Sequence, residues 1–243
     1  MLFRDWEAAE SARDNFQKAK ERNSFGARTQ GLLKEIVSTI SSRFPDPAEV
    51  EPLIVLAKGE VGPEIWKACL HWYMASRDEL YYRFVTEWLF SRYESGTNLL
   101  KPPDLEPFVR AMTAGQIASG GNLSEYSITR TARDLLRFGA DFGLLTSGSV
   151  RQFALYRLPD EAFIFLTHVL LERELSPQKV INAPDWRICL MSPSDVEREL
   201  LRLHQFRKLH YEVAGSLIEL RLPSSSPLEY AKEISQCLAG KID

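Results

Sequence analysis

The stretch Ser127-Ile128-Thr129-Arg130-Thr131-Ala132-Arg133-Asp134-Leu135-Leu136-Arg137-Phe138 carries two patterns at once. At about 100° per residue, Ile128, Ala132, Leu135 and Leu136 share one side of a helix, while Arg130, Arg133 and Arg137 fall on the opposite side within about 60°. The apolar side has to be buried, which forces the arginines outward, so the string predicts an amphipathic helix at a module surface. After it come Phe142-Gly143-Leu144-Leu145, a Thr146-Ser147-Gly148-Ser149 turn and a run from Val150 to Leu158. These predict a β-hairpin of β-prone segments around a Gly/Ser turn. Before it, a helix is expected from about Leu105 to Ser119, followed by a Gly120-Gly121-Asn122 turn.

Helix, tight turn, helix, hairpin is the element order of a winged helix-turn-helix, and it assigns residues 101–159 to such a module. A related order recurs in residues 160–243. Asp160 opens a helix through Leu171, Ser176-Pro177 opens a short one, and Trp186 to Leu190 reads as a strand. Ser192-Pro193-Ser194-Asp195-Val196-Glu197 predicts a strong helix start, with proline near the first helical position and Glu197 three residues after Ser194. That helix runs to about His204. A second hairpin is expected from Lys208 to Val213 and Leu217 to Leu222 around Ala214-Gly215-Ser216, and a last helix from Pro227 to Leu238 ends at Gly240. Leu135-Leu136-Arg137-Phe138 aligns with Leu200-Leu201-Arg202-Leu203, and Arg157-Leu158-Pro159 with Arg221-Leu222-Pro223. A duplicated module would bury both leucine pairs under their hairpins and leave Arg137 and Arg202 facing solvent.

Residues 1–100 read as a helical bundle without a hairpin. Trp6 to Glu21 and the segment containing Leu32, Leu33, Ile36, Val37 and Ile40 form its first two helices, and Pro45-Asp46-Pro47 and Val61-Gly62-Pro63 mark stops and restarts. Two aromatic stripes follow: Ile65, Trp66, Cys69, Leu70 and Tyr73, then Tyr81, Phe84, Val85, Trp88 and Leu89 after a cap at Asp78. Stripes at this spacing are core. Gly96 closes the bundle and Lys101-Pro102-Pro103 is a linker. The expected fold is therefore mainly α with small β-hairpins: a helical bundle followed by two winged-helix-like modules.

Composition narrows the function. With 44% apolar and 26% charged residues the chain is globular, and its net charge of −3 does not by itself advertise a nucleic-acid partner. Charge distribution does. From Ser127 to Arg157 there are five arginines against Asp134 and Asp141, a local excess of +3. That is the footprint of a DNA-binding face. Thr129 lies at the helix start, where a recognition helix meets base edges, and Arg151 lies near the hairpin tip, where a wing touches phosphates. In the second module Arg198, Arg202 and Lys208 make a weaker set, since Glu197 and Glu199 flank them. The competing reading is a solvated arginine face pairing locally with Asp134 and Asp141, or winged helices used as protein-docking surfaces.

Enzyme signatures are absent: there is no GxxxxGK, GxGxxG, HExxH or GxSxG. Gly115, Gly120 and Gly121 are misplaced for a nucleotide loop. Cys69, Cys189 and Cys237 are too far apart for a zinc site and odd in number for disulfides, so buried free thiols in a reducing cytoplasm are expected. His71, His168, His204 and His210 are scattered, and His71 on an aromatic helix reads as a structural histidine. No cofactor or metal is expected. The longest apolar run, Ala162 to Leu171, is too short to span a membrane, and the N-terminus has no apolar signal core. A cytoplasmic protein with no membrane partner is the expectation.

Several strings resemble the BrxA family, small accessory proteins of bacterial BREX phage-defence systems. They are Leu56-Ala57-Lys58-Gly59-Glu60, Glu64-Ile65-Trp66-Lys67-Ala68, Phe84-Val85-Thr86-Glu87, Ser127-Ile128-Thr129-Arg130 and Trp186-Arg187-Ile188-Cys189-Leu190. The resemblance runs from about Gly31 onward and consists of spaced apolar positions and short strings. It implies a mostly helical protein with winged-helix elements that binds double-stranded DNA. It also implies work beside a methyltransferase, an ATPase and a phosphatase-like protein. It brings no catalytic residues, and the arginine assignments rest on helix geometry. A regulator of its own operon is a further reading, requiring preference for one DNA sequence.

Overall fold

The computed structural model describes residues 2–7, 10–44, 47–59, 61–114, 123–215 and 217–239. The expected turn at Gly120-Gly121-Asn122, Gly115, Pro45-Asp46, Ser216 and Gly240 lie outside the described residues. The protein is mainly helical, as expected: α1 Ala12–Glu21, α2 Gln30–Arg43, α3 Pro47–Lys58, α4 Pro63–Ala75, α5 Glu79–Arg83, α6 Phe90–Glu94, α7 Pro102–Thr113, α8 Glu125–Asp141, α9 Asp160–Glu174, α10 Pro177–Ile181, α11 Pro193–Gln205 and α12 Pro227–Ala239. Among the described residues the one strand pair is the antiparallel hairpin β1 His210–Ala214 and β2 Leu217–Arg221, in register Tyr211 with Leu220 and Glu212 with Glu219. No described helix is long and apolar enough to cross a membrane.

By contacts the chain groups into two compact units drawn from separated segments. One comprises Met1–Leu70, Pro159–Val180 and Leu201–Asp243; the other comprises His71–Leu158 and Ile181–Leu200.

In the first unit α12 packs against α3 and α9. Helix α9 is buried at every position from Ala162 to His168, the polar Thr167 and His168 included, and again at Leu170, so it forms the unit's centre. Gly59 follows α3 where the chain passes close to α12: a Cβ there would lie 2.3 Å from Ser235 Oγ. Leu2, Phe3 and Trp6 are buried ahead of α1, and the Phe3 ring meets those of Trp6, Phe44 and Trp66. The first predicted helix therefore starts late, at Ala12, with Ser11 accepting from the Asp14 N–H as its cap.

In the second unit α5 and α6 are one continuous helix interrupted by a π segment, Phe84–Leu89, which buries Phe84, Val85, Thr86 and Leu89. Asp78 caps it, as expected, accepting from the Tyr81 N–H. The segment read as a strand at Trp186–Leu190 is instead a 3-10 helix, Pro184–Cys189, packed on the π segment. Pro184 at its first position and Leu190 in the left-handed region (φ 56°) enforce that turn, whatever the β propensity of the side chains. Arg187 lies over the Phe90 ring, 5.1 Å from its centroid. The cap of α11 also sits earlier than expected. Ser192, not Ser194, accepts from the Asp195 N–H, while Asp195 Oδ2 takes the Ser192 N–H at 2.9 Å. The box is Ser192 to Asp195 with Pro193 at the first helical position.

The first expected hairpin is reduced to isolated antiparallel bridges, Leu145 with Phe153 and Leu100 with Arg151. Phe142 and Gly143 finish α8 instead: Gly143 takes a positive φ of 85° and the Leu144 N–H returns to the Gly139 carbonyl, a left-handed helix stop. That leaves Leu144 to Thr146 for pairing.

Candidate nucleic-acid interface

Helix α8 is held at both ends. At its start Ser124 accepts from the Ser127 N–H, and Glu125 receives a two-point ion pair from Arg110 of α7 at 2.6 and 2.8 Å. That pair lowers the Glu125 carboxyl below its ordinary value, Arg110's hydrogen bonds being the main cause. At its far end Phe138 meets Tyr81 edge-on at 4.5 Å, and Phe142 stacks on His71 at the same separation. His71 is 1% exposed, with Nε2 2.8 Å from the Tyr81 hydroxyl. It is a structural histidine, as its aromatic setting indicated.

Between these anchors the inward side of α8 is Ile128, Ala132, Leu135, Leu136 and Gly139, all buried. Arg130, Arg133 and Arg137 are exposed, as the periodicity requires. Arg130 and Arg137 each lie 3.7 Å from an aspartate one turn on, Asp134 and Asp141. These pairs are solvated, with arginine side chains 71% and 73% exposed. They run arginine-before-aspartate, the weaker orientation on a helix. Arg133 has no ion pair among the described residues.

The other sequence-derived positions divide. Thr129 donates to Glu106 of α7 at 2.8 Å, which fastens the two helices and turns its hydroxyl from solvent. Arg151 is not at the tip of the turn. Its backbone exchanges both hydrogen bonds with Leu100, at 2.9 and 3.0 Å, and its guanidinium donates to the Thr146 carbonyl at 3.1 Å. Arg198 is exposed and pairs with Asp195 at 3.0 Å on the rim of a half-open cleft of about 470 Å³, whose lining includes Tyr93, Leu155, Arg157 and Met191. Arg202 and Lys208 converge on Asp160 at the start of α9, the lysine at 2.9 Å. Burial raises the Asp160 carboxyl, but hydrogen bonds from Lys208 and Arg202 outweigh it and hold the group below its ordinary value. The two cations form an internal clamp on α9.

The aligned leucine pairs do not match either. Leu135, Leu136 and Leu200 are buried, but Leu201 is 48% exposed and Arg202 is engaged by Asp160. Helix α11 buries only Val196, Leu200 and Leu203, a stripe too narrow to include Leu201.

One residue of the stripe escaped the sequence reading. Tyr126 stands one turn before Arg130, so residues 126, 130, 133 and 137 follow the i, i+4, i+7, i+11 spacing of a single helix face. It is 75% exposed. Its signal was the same periodicity, extended by one turn. For metal binding, His210, Glu212 and Glu219 hold donor atoms within 4.8 Å of one another on the hairpin, although Arg221 already engages Glu219. Cys69 and Cys189 are buried thiols not joined in a disulfide; burial pushes the Cys189 thiol up to about 12, so it stays protonated at neutral pH.

A family model of BrxA matches residues 2–169, which takes in the N-terminal helix that the sequence strings left unplaced. No curated protein and no solved structure matches the chain. The match covers more than half of the sequence, so this chain belongs to the BrxA family and is thereby a BREX-associated protein.

Proposed function

We propose that this protein binds double-stranded DNA through the outward face of α8, as a non-catalytic accessory factor of a BREX-type defence system. The carrying observation is the exposed row Arg130, Arg133 and Arg137 on a helix whose opposite side is core and whose two ends are anchored. The row spans about 10 Å at 1.5 Å per residue, and a helix of this width fits a major groove. The antiparallel bridges around residues 144–154 and Leu100 support reading this segment as a small wing beside a recognition helix. The internal engagement of Arg202 and Lys208 argues against a second DNA-binding face and leaves Arg198, paired with Asp195 at the surface, as the exposed member of that set. On this reading the methyltransferase, ATPase and phosphatase-like components of such a system are its protein partners.

The second reading, an adaptor that never touches DNA, is favoured by Asp134 and Asp141, which neutralise two of the three arginines. Titrating the protein against random-sequence duplex at a series of salt concentrations separates the two. Affinity that falls linearly in log–log form with salt supports the DNA reading. No binding at low ionic strength leaves the adaptor.

A further inference from the structure

Resting on that reading, we infer that Tyr126 is the base-reading member of the α8 face and packs its ring against the C5 methyl of thymine in the major groove. The arginines of the stripe are suited to phosphates, which carry no sequence information. Tyr126 is different in kind: an uncharged aromatic ring at the N-terminal end of the row, 75% exposed. Side chains on a helix lean toward its N-terminus, so a residue in the first turn projects past the helix end, where recognition helices approach base edges.

The first turn is also unusually well fixed. Ser124 caps it, Arg110 clamps Glu125 with two hydrogen bonds, and Glu106 holds Thr129 three residues on. Two neighbouring polar groups, Glu125 and Thr129, are thus consumed in fastening α8 to α7, and the hydroxyls of Ser124 and Ser127 bond each other at 2.9 Å. Tyr126 is left presented on a rigid platform, at a position where burial plays no part in holding the fold. The major groove of ordinary DNA offers an aromatic ring one apolar group, the thymine methyl. The tyrosine hydroxyl remains free to meet a phosphate or water.

The test compares the full chain on an alternating dA–dT duplex and on the same duplex with deoxyuridine in place of thymine, which differs only by the methyl. The wild type should bind the thymine duplex about fourfold more tightly, the factor that burying one methyl group supplies. Tyr126→Ala should bind both duplexes equally and keep the wild-type salt slope, because no charge is removed, while Tyr126→Phe should retain the discrimination. Equal wild-type affinity for the two duplexes, with binding still salt-dependent, overturns this assignment alone. Absence of salt-dependent binding to either duplex overturns the DNA reading beneath it.

Discussion

Replacing Arg130, Arg133 and Arg137 together with alanine tests the α8 face most directly. All three side chains point away from the buried stripe, and their ion partners are solvated. Exposed pairs of this kind contribute at most about 0.5 kcal/mol, and alanine is the better helix former, so the melting temperature should move by only a few degrees. The effect on DNA is much larger. If each arginine meets one phosphate, the log–log salt slope should shrink by about 0.9 per contact, about 2.7 for three. Raising salt from about 50 to about 200 mM should therefore weaken the wild type roughly 40-fold more than the variant. Fluorescence anisotropy on a labelled random duplex at five or six salt concentrations measures both slopes, with circular dichroism as the folding control. A folded variant whose slope matches the wild type would refute the placement of DNA on this helix.

Three other outcomes are expected. Asp134→Asn with Asp141→Asn should tighten DNA binding by about threefold per removed charge at low salt, a gain that fades as screening rises; unchanged or weaker low-salt affinity counts against the phosphate-facing orientation. Burial pushes the His168 imidazole down to about 4, against an ordinary value of 6.5, so the unfolded chain takes up its proton first on acidification. Stability is therefore undiminished above pH 6.5 and is lost as pH falls toward 4, by about 2 kcal/mol between pH 7.5 and pH 5, and His168→Phe should flatten that part of a urea-midpoint profile. If the variant keeps the wild-type acid sensitivity, another group is responsible. Gly59→Ala should destabilise by about 1–3 kcal/mol, because the new methyl meets both the side chain and the backbone of Ser235, at 3.1 Å for its Cα; a denaturation midpoint at or above wild type would show that α3 and α12 can move apart freely.

Helix α8 was legible because one residue pattern served both burial and exposure. A stripe of four apolar residues at helical spacing leaves no other orientation for Arg130, Arg133 and Arg137. The hairpin at residues 210–221 was legible for the matching reason, β-prone strings on either side of a glycine turn. What failed were strings that suit two structures. Phe142-Gly143-Leu144-Leu145 reads as a strand, but the glycine ends a helix, and one residue of the four makes a bridge. Trp186-Arg187-Ile188-Cys189-Leu190 is β-prone, yet the proline two residues earlier sets a 3-10 turn. The π segment at residues 84–89 has no local signature at all. The engagements of Thr129, Arg202 and Lys208 lie 23, 42 and 48 residues away in sequence, where periodicity carries no information.

Those engagements sharpen the functional argument. A count of arginines treats every cation alike, whereas burial and pairing sort them by the free energy needed to redirect them. Moving Arg202 or Lys208 to a phosphate would take from a half-buried Asp160 one of its cationic partners and loosen the start of α9, the centre of its unit. Moving Arg130 or Arg137 breaks only a solvated pair at 3.7 Å, and Arg133 has no pair to break among the described residues. Among the sequence-derived cations, the three arginines of α8 and Arg198, in its exposed pair with Asp195, are thus the most cheaply redirected, and on the proposed reading Asp134 and Asp141 sit beside the α8 arginines as weak internal competitors for phosphate. If DNA binds there, as proposed, it has to outcompete two solvated carboxylates, a condition that a duplex, with one charge per about 1.7 Å of axis, would meet far better than an isolated acidic side chain.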